Sequence, residues 1–200
     1  QIIQNGINFN FIKRLGNTTR NTYKIIYASN YNRGLEQILK WGFPRIREAV
    51  PQAELHIYYG MDIVRDRDAD FIERITQLMK QPGVFDHGKV GQDDLAKIRE
   101  DVAIHYYPTF YPEIDCITVK ESAYAGCIPV VSNYAVFADQ DRQYLLKFNG
   151  NPNTEEMHKN CADLVIKLLQ SPQLMESARQ KVINNIDSIQ SWEQVADTWI

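Results

Sequence analysis

Apolar residues in this chain fall into short runs separated by helical stripes. Strand-like runs occupy Tyr23–Ala28, Glu54–Tyr59, Val84–His87, Val102–Tyr107 and Ile128–Ser132, with a weaker one at Tyr144–Phe148. Between them the period changes. Leu35, Ile38 and Leu39 take the i, i+3, i+4 positions of an amphipathic helix, and Pro44 starts a second short helix carrying Ile46, Ala49 and Val50. Phe71, Ile72, Ile75, Leu78 and Met79 line one face of a helix over about 69–80. Leu95 and Ile98 mark another, opened by Asp93 and Asp94, whose charges suit a helix N-terminus. Strands alternating with helices predict βαβ units, hence a doubly wound, Rossmann-like α/β fold with a parallel sheet of about six strands and helices on both faces.

After Phe148 the pattern turns helical. Asn149-Gly150-Asn151-Pro152-Asn153 reads as a turn, and Thr154 to Glu156 opens a helix with apolar Cys161, Leu164, Val165, Leu168 and Leu169. Ser171-Pro172 stops it, and a further helix is predicted from Leu174 to about Ile186. The segment Ser191–Trp199 predicts a short closing helix able to pin its two indoles onto the domain. Residues 1–200 read as a single domain with 1–22 as a lead-in. The chain opens at Gln1 without methionine, which suggests a piece of a longer protein.

Composition narrows the function classes. At 200 residues the chain can bury one real core, and its 44% apolar and 24% charged content is ordinary for a globular protein. A net charge of −3 argues against a nucleic-acid binder, which normally carries a basic surplus. No apolar stretch approaches the ~20 residues that a membrane span needs. Cys116, Cys127 and Cys161 have no metal-ligand spacing and point to a reducing compartment. His56 and His105 lie inside strand runs, the pattern of sheet-face or core histidines rather than ligands. Two Asp-x-Asp motifs, Asp66-Arg67-Asp68 and Asp139-Gln140-Asp141, fall in a charged run and in a loop, and neither supports a metal.

The candidate chemistry sits in the βα loops. Glu113 and Glu121 lie eight residues apart across a loop that opens a helix, which Gly126 ends before Ile128-Pro129-Val130-Val131. In a parallel α/β sheet such a loop lies at the ligand-binding edge, where a helix N-terminus attracts phosphate and a carboxylate accepts from sugar hydroxyls. A continuous helix would set the two glutamates about 80° apart, so Glu113 is expected in the loop and Glu121 in the helix. Arg33-Gly34, after the first strand, combines a bidentate cation with a residue that permits close backbone approach. Gly88-Lys89-Val90 ends the third strand ahead of an acidic helix start.

Taken in order, these features resemble the C-terminal, donor-binding domain of a GT-B glycosyltransferase, glycosyltransferase family 4 in particular. The pattern from Glu113 to Val131 resembles that family's E-x7-E signature, Asn5-Gly6-Ile7-Asn8 resembles the start of its C-terminal domain, and Pro51-x-Ala53-x-Leu55 and Ser191-Trp192-Glu193 are similar to further family segments. The resemblance covers nearly the whole chain. It implies metal-independent, retaining transfer of a sugar from a nucleoside diphosphate to an acceptor hydroxyl, with no cofactor, because the nucleotide sugar is a substrate. It further implies that Glu113 faces the donor sugar and Glu121 the ribose. Arg33, Gly34 and the N–H groups of Cys116, Ile117 and Thr118 would then face the diphosphate, and Lys89 and Val90 the base. Arg33 and Glu113 are the implied catalytic groups.

Three departures from the family pattern stand out. Ser29 or Asn30 takes the place of an earlier arginine, so the diphosphate clamp has one fewer cation. Asp115 and Cys116 replace an aromatic residue and a glycine, and Asp115 is expected to point away or to bond a sugar hydroxyl. Lys120 and Ser122 stand where apolar residues or alanine are usual. The family binds its glycan, lipid or protein acceptor mainly through an N-terminal domain absent from this chain. The isolated domain is therefore expected to bind nucleotide and transfer little, and any membrane association of the full-length protein would fall to the acceptor half. The resemblance implies a cytoplasmic location or the cytoplasmic face of a membrane. The alternative is a degenerate, non-catalytic nucleotide- or sugar-phosphate-binding module, which the missing arginine and Asp115 favour.

Overall fold

The computed structural model describes residues 4–12, 20–61 and 68–199. Parts of the 1–22 lead-in and the Asp66-Arg67 portion of the first Asp-x-Asp motif lie outside the described residues. The strands are β1 (Asn21–Tyr27), β2 (Glu54–Ile57), β3 (Val84–Asp86), β4 (Val102–Tyr107), β5 (Ile128–Ser132) and β6 (Leu146–Phe148). They form one six-stranded sheet in the order β3-β2-β1-β4-β5-β6, and every neighbouring pair is parallel. Tyr144 and Leu145 lie before β6 rather than in it, and both are buried.

The central strands are buried on both faces, as a parallel sheet covered by crossover helices requires. β4 and β5 are buried along their whole length. Pro129 sits in β5 without costing a ladder bond, because β6 pairs with β5 only from Val130 onward. Right-handed crossovers place α1 (Leu35–Gln37), α2 (Phe43–Ala49) and α3 (Ala69–Leu78) on one face. The same rule places α4 (Gln92–Asp101) and α5 (Ile117–Tyr124) on the other. α6 (Glu155–Gln170) packs on α2, and α7 (Pro172–Ile183) packs on α5 and β5.

Between α1 and α2 the backbone does not break but widens into a π-turn, Ile38–Gly42, whose closing bond runs from Phe43 N–H to Ile38 O. Pro44 explains it. A proline ring collides with the carbonyl four residues back and has no N–H to bond it, and the wider turn moves that carbonyl aside. The two helices expected around Pro44 are thus one continuous element.

The described part of the lead-in is integral to the domain. Ile7 is fully buried and pairs with Ser191, giving N–H to Gln190 O at 2.9 Å and accepting from Trp192 N–H at 3.3 Å. The closing helix α8 (Trp192–Asp197) starts with a capping box between Ser191 and Gln194. Its tryptophans depart from expectation. Trp192 is 44% exposed and Trp199 74%, so this end is held by buried Val195 and by the Ile7 bridge rather than by indoles.

Candidate functional site

The strand order places a topological switch between β1 and β4, because the chain winds outward from β1 to β3 and then crosses back. A cleft opens there, at the carboxyl ends of the strands. It consists of two recesses of about 390 Å³ and 370 Å³ that share Ala28, Tyr59, Ile117 and Thr118. Ser29, Arg33, Glu113 and Cys116 line the first. Lys89, Val90 and Glu121 line the second. Of the residues singled out in the sequence, Gly34 alone lies off the walls. It caps α1 at φ 106°, where a side chain would be strained, and its missing Cβ would come within 3.3 Å of Thr109 Cα. It therefore seats the Arg33 loop against the end of β4, where Thr109 Oγ1 donates to Arg33 O at 2.6 Å.

Glu113 lies in the loop after β4, with its side chain only 6% exposed. Its Oε1 accepts from Tyr107 OH at 2.6 Å and from Arg33 NH1 at 2.9 Å. The Tyr107 hydroxyl spends its proton on Glu113, so Ser29 Oγ, 3.1 Å away, is the donor to it. Arg33 lies over the Tyr111 ring, 4.2 Å from its centroid, which fixes the plane of the guanidinium. Arg33 thus reaches the cleft already paired with a carboxylate. Oε2 of Glu113 has no partner among the described residues and is the acceptor the cleft retains.

Glu121 lies one turn inside α5 and forms an ion pair with Arg99 NH2 at 2.8 Å. Arg99, on α4, is 1% exposed. It also donates to Thr118 Oγ1 at 2.9 Å and, through Nε, to Ser122 Oγ at 3.2 Å. His105 Nδ1 lies 2.8 Å from the same Ser122 hydroxyl. Burial raises the Glu121 carboxyl above the usual carboxylate range against the pull of Arg99, and burial lowers the Arg99 guanidinium. Both shifts disfavour the charged forms, so the pair loses more in desolvation than its attraction returns. Burial also drops the buried His105 imidazole to about 3, with Arg99 adding to the effect.

The N-terminus of α5 lies between the two carboxylates. Cys116 caps it in the left-handed region, φ 58° and ψ 74°, with no side-chain hydrogen bond to the helix. A non-glycine there costs about 1–2 kcal/mol. The N–H groups of Ile117 and Thr118 have no acceptor among the described residues, the ordinary state of a helix start open to an anion. Lys89 is exposed and has no ion pair among the described residues. Gly60, at φ 93°, holds the end of β2 so near that a Cβ would lie 2.9 Å from Lys89 N.

Asp115 points into the protein, the first of the two expected outcomes. It is 5% exposed and is bonded by Lys120 Nζ at 2.7 Å, by Arg142 NH2 and by Asn5 N–H at 2.5 Å. Lys120 Nζ also donates to Asn5 O at 2.8 Å. Burial alone would raise the Asp115 carboxyl, but the bonds from Lys120 and Arg142 hold it below its ordinary value. Among the described residues no three His, Cys, Asp or Glu side chains converge as a metal site. Nor is any helix long and apolar enough to cross a membrane.

Reasoning on the sequence missed Arg99, Tyr59, Tyr107 and Tyr111. Arg99 alone left a signal, a charge at i+4 from Leu95 and i+3 from Ala96 on the inward stripe of α4. Tyr59 and Tyr107 sit at or just past strand ends, where only the folded sheet aims their hydroxyls, and Tyr111 lies in the loop after β4, where its ring meets Arg33.

No protein-family model matches the chain, and no curated protein does. Solved structures do. Sucrose-phosphate synthase from Thermosynechococcus elongatus aligns with a TM-score of 0.73 at 14% identity, over 100% of this chain and 50% of the other. TarM aligns at 0.74 and 16% identity, over 98% of this chain and 37% of TarM. Anabaena HepE, solved with UDP and glucose, aligns at 0.73 and 13% identity, over 100% and 56%. This chain therefore spans about half or less of each neighbour's length. Its six-stranded parallel sheet with flanking helices is the Rossmann-like fold of GT-B glycosyltransferase domains.

Proposed function

We propose that this chain is the donor-binding half of a glycosyltransferase of the family 4 type, taking a nucleoside-diphosphate sugar. One observation carries the reading: Glu113 and Glu121 open onto one cleft on either side of a helix N-terminus, at the switch point of the sheet. Glu121 accepts from the ribose diol, and its pairing with Arg99 removes the repulsion that a bare carboxylate would exert on the nearby diphosphate. The N–H groups of Ile117 and Thr118 take phosphate oxygens, with Lys89, which has no ion pair among the described residues, beside them. Lys89 and Val90 border the base. Glu113 Oε2 accepts from a hydroxyl of the donor sugar, while Arg33 on Oε1 shares its remaining N–H groups with the leaving phosphate. Charge that develops on the diphosphate as the glycosidic bond breaks is stabilised by fixed donors of the chain, which is how transfer proceeds here without a metal. Retention of configuration and an acceptor held by a separate N-terminal domain follow from the family resemblance. So does a cytoplasmic or membrane-face location.

The neighbours support the donor class, since two of those solved contain UDP with a sugar. The degenerate-module reading draws on a specific observation too, because Arg33 and Arg99 are each committed to a carboxylate. Calorimetric titration with UDP, GDP and ADP tests both readings. One nucleotide is expected to bind, and Glu121→Ala is expected to weaken it by about tenfold, the worth of a hydrogen-bonded carboxylate. Absence of binding by all three at millimolar concentration overturns the donor reading. Nucleotide binding by a full-length protein that neither transfers nor hydrolyses any sugar nucleotide selects the degenerate module.

A further inference from the structure

A second recess lies away from the cleft, against β6, and its charges are of one sign. Arg142, Lys147 of β6 and Lys181 of α7 line a space of about 390 Å³ whose walls carry no acidic side chain among the described residues. Leu145, Leu146 and Leu164 supply its apolar part, and Gln140 and Gln143 its rim. Neither lysine is in an ion pair among the described residues. Lys147 Nζ has only the backbone carbonyl of Asp139. The Asp139 carboxylate is turned to its own loop and accepts from Asp141 N–H at 3.0 Å, and the Asp115 carboxylate pairs with Arg142.

Arg142 is 3% exposed, and its Nε–H is buried with no partner among the described residues. Its other nitrogens bond Asp115 and Tyr144 OH. The Lys147 ammonium is lowered by burial, and Arg142 and Lys181 lower it further against the pull of Asp139, as expected of cations gathered in one place.

We propose that this recess is a binding site for a small phosphate monoester with a polar carbon skeleton, a phosphorylated sugar being the chemical class that fits. Lys147 and Lys181 take the phosphate oxygens, the leucines carry the carbon skeleton, and the two glutamine amides meet its hydroxyls. Arg142, its charge met by Asp115, forms part of the wall. Because Arg142 also holds Asp115, this site and the Glu113–Cys116 loop share one guanidinium.

The test is titration of the ¹⁵N-labelled 200-residue chain with glucose 6-phosphate, inorganic phosphate and glucose, following amide shifts. Glucose 6-phosphate is expected to give saturable shifts at Leu146, Lys147 and Lys181, to bind tighter than inorganic phosphate, and to weaken as salt is added. Glucose is expected to give none. Lys147→Gln and Lys181→Gln each remove one charge-assisted contact and are expected to weaken binding about tenfold, with the double variant abolishing it. Both lysines have open or half-open side chains, so folding is not at stake. Failure of glucose 6-phosphate to saturate at these residues by tens of millimolar overturns the proposal. So do shifts that survive the double variant or that fall only at Ile117 and Thr118. Binding of bare phosphate as tight as the sugar phosphate overturns the assigned class. UDP titration of the same double variant separates the two sites, since neither lysine borders the cleft.

Discussion

Replacing Arg99 with methionine removes the charge that Glu121 faces while keeping an unbranched chain of similar length. Arg99 is 2% exposed in its side chain and Glu121 14%, so water can relieve Glu121 only in part. Breaking a buried pair from one side costs about 3–5 kcal/mol, and the opening toward the cleft argues for the lower end, about 3 kcal/mol. Against a typical total of about 5–15 kcal/mol that is a large fraction. With an m-value of about 2 kcal/mol/M, the urea midpoint should fall by about 1.5 M. Removing both charges is different, because both groups already lose by being buried. Arg99→Met/Glu121→Gln is expected within about 1 kcal/mol of the parent, a coupling of at least about 2 kcal/mol.

The pH response supplies an independent check. The Glu121 carboxyl is raised in the folded state, so between the unfolded value and the native one the native state binds more protons, and stability falls as pH rises through that window. Without Arg99 the window extends upward, so the stability of Arg99→Met relative to the parent should recover as pH falls through it. A cost for Arg99→Met under about 1 kcal/mol would refute the buried-pair account, as would additive costs in the double variant.

Asp115→Asn leaves Lys120 and Arg142 facing each other with side chains only 2% and 4% exposed, and is expected to cost about 3–5 kcal/mol in urea unfolding. The Asp115 carboxyl is depressed, so its contribution is present above the ordinary carboxylate value and lost as pH falls through the native one; the variant should lose that part of the acid limb. His105, unfolded near 6.5 and native at about 3, binds its proton earlier in the unfolded chain, so stability falls as pH drops below 6.5. Relative to neutral pH the loss at pH 5 is about 2 kcal/mol, and His105→Gln should remove that component in denaturation followed by circular dichroism.

The sheet was legible because its evidence is local and repeated. Runs such as Val102–Tyr107 and Ile128–Ser132 must be buried on both faces, and only a parallel sheet under helices permits it. The two tryptophans of the last helix were misplaced for the opposite reason. A short amphipathic stretch does not say which of its apolar residues finds a neighbour, and Val195 took the contact. The loop positions of Ser29, Arg33 and Glu113 were legible as members of one cleft, since they follow strands that end at the same edge. That Arg33 and Glu113 bond each other was not, because their separation of 80 residues hides a 2.9 Å contact.

The departures from the family pattern show where single-residue reasoning stops. Read one at a time, Asp115, Lys120 and Ser122 are polar substitutions in a helix start that the family keeps apolar or small. In the folded chain they resolve into two hydrogen-bonded sets. Asp115, Lys120 and Arg142 neutralise one another and tie down Asn5, while Ser122 bridges His105 to the guanidinium of Arg99 that meets Glu121. A buried charge is tolerated only with its partner, so neither set could be reached by changes that left one member unpaired for long. The physical content of the departures is therefore a re-engineered underside of the helix α5 start, with the face that meets the cleft left open. Glu113 and Glu121 each keep a cation at hydrogen-bonding distance, Arg33 for the first and Arg99 for the second, so the charge that each turns to the cleft is already countered from the protein side.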